Sequence, residues 1–428
     1  MLQLPVATHT LANGLRVVLS EDHATPIVAV NLWYHVGSAN ERAGRTGFAH
    51  LFEHMLFQGS EHVAANEHFE LVQRAGGTLN GSTWLDRTNY YETVPSHQLE
   101  LALWLEADRM GRLLPAMTQE KLDTQRDVVK NERRWSVDNQ PYGTWWEKLP
   151  ALCHPPAHPF HHSLIGSMED LSEASLEDVA DFFRTYYTPD NAVLTIAGDF
   201  DPTVALAMVE RHFGAIPRGA GRPSLPSLTL PPRFGSWQRE VVEDDVVAAR
   251  IFLTFRVPPC GSDEWYAASL LGALLGTGEG ARLPRALVRE QRIASDAGAY
   301  TFDLTKGADL LICDVTGRQG VALATLETAL IAEIERLRGG GITAGERARA
   351  LALLEASWLL QLQSAGLRAD KLSQFATYFG NPQRLNEELA RYQAVTVDAM
   401  QTAARELMGE DNRVSLAYVP RAAAVEAA

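Results

Sequence analysis

The sequence predicts an α+β chain of two homologous domains, each an antiparallel-rich sheet covered by helices, facing each other across a cleft. Three observations lead there. The 428 residues exceed what one core usually organises, at about 150 residues per domain. A segment at the midpoint, 217–232, carries five prolines and leaves little chance of a regular element. On either side of it the same order recurs (apolar strand, helix, strand, long helices, strand), as an internal duplication of about 200 residues would give. We therefore expect domains at 1–216 and 233–428, joined by a linker at 217–232.

In the first half, Leu15-Arg-Val-Val-Leu-Ser and Ile27-Val-Ala-Val-Asn-Leu-Trp-Tyr have the β-branched and aromatic enrichment of strands and are joined by a polar turn. The second half offers Val246-Val-Ala-Ala-Arg-Ile-Phe-Leu-Thr-Phe. The halves close alike, on Ala192-Val-Leu-Thr-Ile-Ala-Gly and Arg413-Val-Ser-Leu-Ala-Tyr-Val. Strands and long helices segregate within each half, which predicts a sheet with helices on one face.

Composition narrows the function classes. Apolar residues at 46% and charged residues at 21% exclude a disordered or low-complexity chain. The net charge of −15 argues against non-specific nucleic-acid binding and against docking on anionic membranes, and suits a cationic or extended peptide. Cys153, Cys260 and Cys313 are odd in number and far apart, so they read as small buried hydrophobes rather than a disulfide framework. No apolar run approaches the ~20 residues of a membrane span and the start lacks a basic n-region, so a cytoplasmic protein is expected.

The chemistry concentrates in Thr46-Gly-Phe-Ala-His50-Leu-Phe-Glu53-His54-Met-Leu-Phe-Gln-Gly59, which reads as a helix that Thr46 caps and Gly59 ends. His50 and His54, at i and i+4, leave one face about a turn apart, a spacing that suits two nitrogen ligands on one zinc ion. Glu53 is offset from both and within reach of a metal-bound water. Composition alone predicts about 0.03 occurrences of His-x-x-Glu-His in this chain. A surface helix with two idle histidines fits poorly, because Phe48, Leu51, Phe52, Met55, Leu56 and Phe57 surround the trio.

A catalytic zinc needs a third protein ligand and an open position. On the helix expected from about Thr118 to Trp135, Leu122, Gln125, Val128, Val129, Glu132 and Trp135 form the buried stripe. Glu120, Asp123, Asp127, Asn131 and Arg134 fall on the wet side. Glu132 is the carboxylate out of place, to be compensated either by zinc or by a nearby arginine. The histidines of Cys153-His154-Pro-Pro-Ala-His158-Pro-Phe-His161-His162 read as a structured loop, since the prolines prevent regular ligand spacing.

With these motifs the chain resembles the pitrilysin or insulinase family of inverted-motif zinc peptidases, to which mitochondrial processing peptidase and its bacterial homologues belong. The likeness is densest at 47–60, at Gly76-Gly-Thr-Leu-Asn80-Gly-Ser-Thr, at Val128-Val-Lys-Asn-Glu132 and at 158–166, with 280–290 similar to the family's C-terminal domain. The resemblance implies a zinc metalloendopeptidase of short or unfolded peptides, with one Zn2+ per chain held by His50, His54 and Glu132. Glu53 is then the general base that activates the zinc-bound water. It further implies an edge strand at 76–83 that pairs with substrate backbone through Asn80, and Arg289 as a substrate contact.

Two positions depart from the family pattern. Gln125 stands where many relatives carry glutamate, and Asp296 where active relatives carry a tyrosine seven residues after the arginine, with Tyr300 close by. The second departure implies a homologous second subunit, in a heterodimer, or a homodimer. The rival expectation is a non-catalytic peptide-binding or assembly subunit of the same fold.

Overall fold

The computed structural model of the protein describes residues 3–221 and 227–421, so 222–226 of the expected linker lie outside the described residues. The chain forms two compact units, each with one sheet. The first comprises Met1–Arg134, His162–Pro226 and Leu359–Glu387. Its strands are β1 (Ala7–Thr10), β2 (Arg16–Glu21), β3 (Ile27–Tyr34), β4 (Thr78–Thr83), β5 (Thr88–Pro95) and β6 (Ala192–Gly198), in the order β1-β2-β6-β3-β5-β4. The run 15–20 corresponds to β2, and 27–34 and 192–198 coincide with β3 and β6. β2 and β3 do not pair with each other despite the short turn between them. β6 lies between them, parallel to β2 and antiparallel to β3.

Alternation along β3 points its side chains to two different helical layers. Val28, Val30, Leu32 and Tyr34 are fully buried on one face, where Tyr34 packs on Tyr90 and Tyr187. On the other face the helix Ala365–Tyr378 lies across β3 and β6. Only small residues meet at its closest approach, Ala29 and Ala197 against Ala365 and Ala369. Its Asp370 accepts the Trp33 indole N–H at 2.9 Å.

The second unit comprises Trp135–His161, Ser227–Trp358 and Glu388–Ala428. Its strands are β7 (Gln238–Asp244), β8 (Arg250–Val257), β9 (Ala294–Thr301), β10 (Asp309–Gly317) and β11 (Val414–Pro420), in the order β7-β11-β8-β10-β9. Leu253, Phe255, Leu311 and Cys313 share a core with the helix Asp263–Gly276. Phe252, Leu310, Ile312, Leu416 and Tyr418 face the other way, onto Leu149 and Cys153 of the helix Trp145–Cys153.

The units therefore do not follow the 1–216 and 233–428 division. Residues 135–161 of the first half belong to the second unit, and 359–387 of the second half belong to the first. The reason is the second apolar face of each sheet. Expected to be covered on one side, each sheet is covered on both, and the extra helix comes from the other half of the sequence.

Candidate metal centre

The histidine helix spans Phe48–Met55, shorter than the sequence predicts at both ends. Thr46 does not cap it. Its hydroxyl donates to Asp170 at 2.5 Å, and Gly47 precedes the helix with φ +80. A Cβ on Gly47 would come within 2.3 Å of the Ile165 carbonyl oxygen, so this turn is closed to larger residues. The helix N-terminus is held instead by Glu41, whose side chain is fully buried. Its two carboxylate oxygens accept the N–H groups of Gly47 at 2.9 Å and Ala49 at 2.7 Å. Burial pushes the Glu41 carboxyl up, and these amides pull it back.

Thr118 does cap the second helix, Gln119–Arg133, by accepting the N–H of Lys121. Leu122, Gln125 and Val129 are buried and Glu132 half-buried, while Val128 is 41% and Trp135 72% exposed. The helical projection of the sequence predicts both on the buried stripe. Trp135 leaves it because the backbone passes into a π-helical turn at Arg134–Asp138, which rotates the following residues off the helix's face.

Two helices bring His50, His54 and Glu132 together. Glu132 Oε1 lies 3.6 Å from His50 Nε2, and Oε2 lies 3.3 Å from His54 Nε2. One ligand atom from each residue falls within 4.8 Å of the other two. A tetrahedral zinc with ligands at 2.0–2.2 Å would hold neighbouring ligand atoms about 3.3–3.6 Å apart, so the two histidine–glutamate separations match the ion and the donor types suit it.

Electrostatics couple the three groups. Burial, then the neighbouring His54, push the His50 imidazole down to about 4. Burial also acts to lower His54, but its hydrogen bond to Glu132 and the charges of Glu132 and Glu53 outweigh that and leave it raised. Gln125 adds a further hydrogen bond to His54, so the side chain at the departing position still supports the site. The Glu132 carboxyl is held low, chiefly by the hydrogen bond to His54.

Glu53 is 9% exposed and accepts the Thr83 hydroxyl at 2.5 Å through Oε2. Burial pushes its carboxyl up, and Thr83 opposes the shift. All four side chains line one cavity of about 560 Å3, with Phe57, Phe69, Asn80, Val128 and Leu164 among the other walls. Asn80 is exposed on β4, the edge strand of its sheet, and its Oδ1 accepts the N–H of Gly81. A strand edge leaves main-chain groups free to pair with an extended chain.

Arg289 lies in the other unit, exposed near the end of the turn Pro284–Glu290. Asp296 and Tyr300 are both on β9, opposite Thr316 and Ile312, about 13 Å apart along the strand. Tyr300 stacks on Phe302 rather than standing at the position of Asp296. In the histidine loop, the imidazoles of His154 and His161 bond main-chain carbonyls and His158 accepts the N–H of Phe160, as a structured loop requires.

Glu41 and Thr83 are functional candidates that motif spacing does not single out. Thr83 ends an edge strand whose motif points to its backbone rather than to this hydroxyl, and Glu41 precedes the helix by more than a turn. A second group that could hold a metal, His68, Glu92 and Glu106, lies buried, and no sequence pattern points to it. There the Arg109 guanidinium already pairs with Glu106 and lies 3.8 Å from Glu92, so the group is compensated within the core. Burial pushes Glu92 up and His68 down.

The fold and this site define a class. Residues 16–149 match the family model described as insulinase (peptidase family M16), and 173–354 match that of the peptidase M16 inactive domain. The chain belongs to the M16 peptidase family. It is similar to the zinc protease PqqE of Helicobacter pylori, at 31% identity over 372 residues, 85% of this chain and 83% of that protein. The uncharacterized zinc protease YmxG of Bacillus subtilis is 24% identical over 411 residues, 96% of this chain and 98% of that one. Among solved structures, a protease from Helicobacter pylori superposes with a TM-score of 0.91 at 27% identity, covering 98% of this chain and 100% of that chain. A peptidase M16 inactive domain from Pseudomonas fluorescens shares the fold, with a TM-score of 0.84 at 20% identity over 98% of this chain and 99% of that one.

Proposed function

We propose that this chain is a zinc-dependent endopeptidase of short or unfolded peptides, in which His50, His54 and Glu132 hold one zinc ion and Glu53 is the general base. The observation that carries this reading is the convergence of two imidazoles and a carboxylate from separate helices beside a buried fourth carboxylate, within one cavity. When bound, zinc supplies Lewis acidity that lowers the pKa of water and polarises a carbonyl.

The chain's own residues supply the rest. The β4 edge takes up an extended backbone by strand pairing, largely irrespective of sequence, with Asn80 at its exposed face. The Glu53 carboxylate takes a proton from the attacking water and hands it to the leaving amine. Its burial pushes its pKa up and makes it a better acceptor. Glu53→Gln keeps the shape and the metal donors, so it should retain zinc and lose peptide cleavage. Near wild-type hydrolysis by that variant would sink the role.

A second reading, a non-catalytic peptide-binding or assembly subunit, is favoured by the match of 173–354 to an inactive-domain model and by Asp296 at the position of the expected tyrosine. A metal count with a chelator-sensitive peptide digest separates the two. On the first reading, Asp296 predicts that activity rises when a homologous second subunit is added.

A further inference from the structure

Both oxygens of Glu53 lie against β4. Oε2 accepts the hydroxyl of Thr83, the last residue of the strand, at 2.5 Å. Oε1 lies beside Gly81, where an added Cβ would come within 3.1 Å of it. Thr83 is itself fixed. It pairs with Thr88 across the hairpin, and Arg87 donates to the preceding Ser82 carbonyl at 2.8 Å and to Asn89 at 3.0 Å. Asn89 in turn donates to Asp370 of the covering helix at 3.2 Å. A glutamate side chain has three rotatable bonds, and a buried one loses more orientation than a short threonine on a clamped strand. The hydroxyl at the strand end is thus the rigid partner, and the carboxylate the one it orients.

From this geometry we propose that Thr83 is a positioning residue: its hydroxyl holds the Glu53 carboxylate facing the cavity, so the edge strand that receives the peptide also sets the base. This rests on the reading of Glu53 as general base. The test measures kcat, KM, zinc content and melting temperature of the full chain on a fluorogenic peptide.

Thr83→Val keeps shape and β-branching and removes the hydroxyl. It is expected to lower kcat about 10- to 100-fold, the range for one hydrogen bond to a charged group. KM should stay within about twofold, and zinc content should not change. Thr83→Ser returns the hydroxyl and should restore most of kcat. If Thr83→Val melts early, the pair Thr83→Ala and Thr83→Ser carries the comparison.

An unchanged kcat in Thr83→Val, or a loss that serine does not restore, overturns the inference. If Glu53→Gln is inactive while Thr83→Val is fully active, only this inference falls. An active Glu53→Gln removes the base assignment beneath it.

Discussion

Glu41 offers a quantitative test of how the histidine helix is held. Its buried carboxylate receives two main-chain N–H groups at 2.7 and 2.9 Å, at the end of the helix that carries His50, Glu53 and His54. Leaving a buried main-chain donor without its partner costs about 1–3 kcal/mol, and Glu41 serves two of them. Glu41→Ala should then destabilise the first unit by about 3 kcal/mol, and Glu41→Gln, which keeps one acceptor, by roughly half as much. At about 2–4 °C per kcal/mol for a unit of this size, the alanine variant should melt about 6–12 °C lower.

Calorimetry on chelator-treated protein measures the first quantity, and zinc titration measures a second. If its histidines bind zinc as proposed, a helix that frays beneath them should lose at least about tenfold in zinc affinity, as when other supporting contacts of a metal site are removed. If Glu41→Ala costs less than about 1 kcal/mol and binds zinc as tightly as the parent, the helix is held by its apolar face and the capping argument is wrong.

Removing zinc should itself lower the melting temperature, by an amount that grows with the logarithm of the zinc concentration replaced. A melting curve indifferent to zinc would place the ion elsewhere or nowhere. Gly81→Val should cut peptide hydrolysis with little loss of stability, because its side chain would crowd Glu53 and Phe57, each 3.1 Å from the added Cβ. Full hydrolysis by the valine variant would show that the strand can shift. In the second unit, burial raises the Asp309 carboxyl to about 8, although it accepts the indole N–H of Trp265 at 2.7 Å. Between about 4 and 8 the folded chain keeps a proton that the unfolded chain has lost, so stability should fall as pH rises through that window and level off above it. Asp309→Asn should flatten that slope, as melting temperatures across pH would report.

The parts of the fold legible in the sequence are those set by local pattern. β3 and β6 coincide with their apolar runs because Val, Ile and aromatic residues suit a pleated surface buried on both faces. The proximity of His50 to His54 follows from helical pitch alone. The approach of Glu132 is legible only indirectly, because a carboxylate on an apolar stripe needs a partner without naming it. What could not be read depends on distant pairs. Ala29 meets Ala369 across some 340 residues of sequence, and nothing near either announces the other. The start of the histidine helix differs from the sequence expectation because Thr46 has the chemistry of a cap while the positive φ of Gly47 turns it away.

The exchange of covering helices has a consequence for synthesis. The sheet built from residues 7–198 cannot shield Ala29, Trp33 and Ala197 until the helix Ala365–Tyr378 has emerged from the ribosome, by which time most of the chain has been translated. The nascent first half must wait with an apolar face open, a natural client for a holdase. Cutting the gene at its proline-rich midpoint should yield two fragments that are insoluble apart and recover structure only when expressed together.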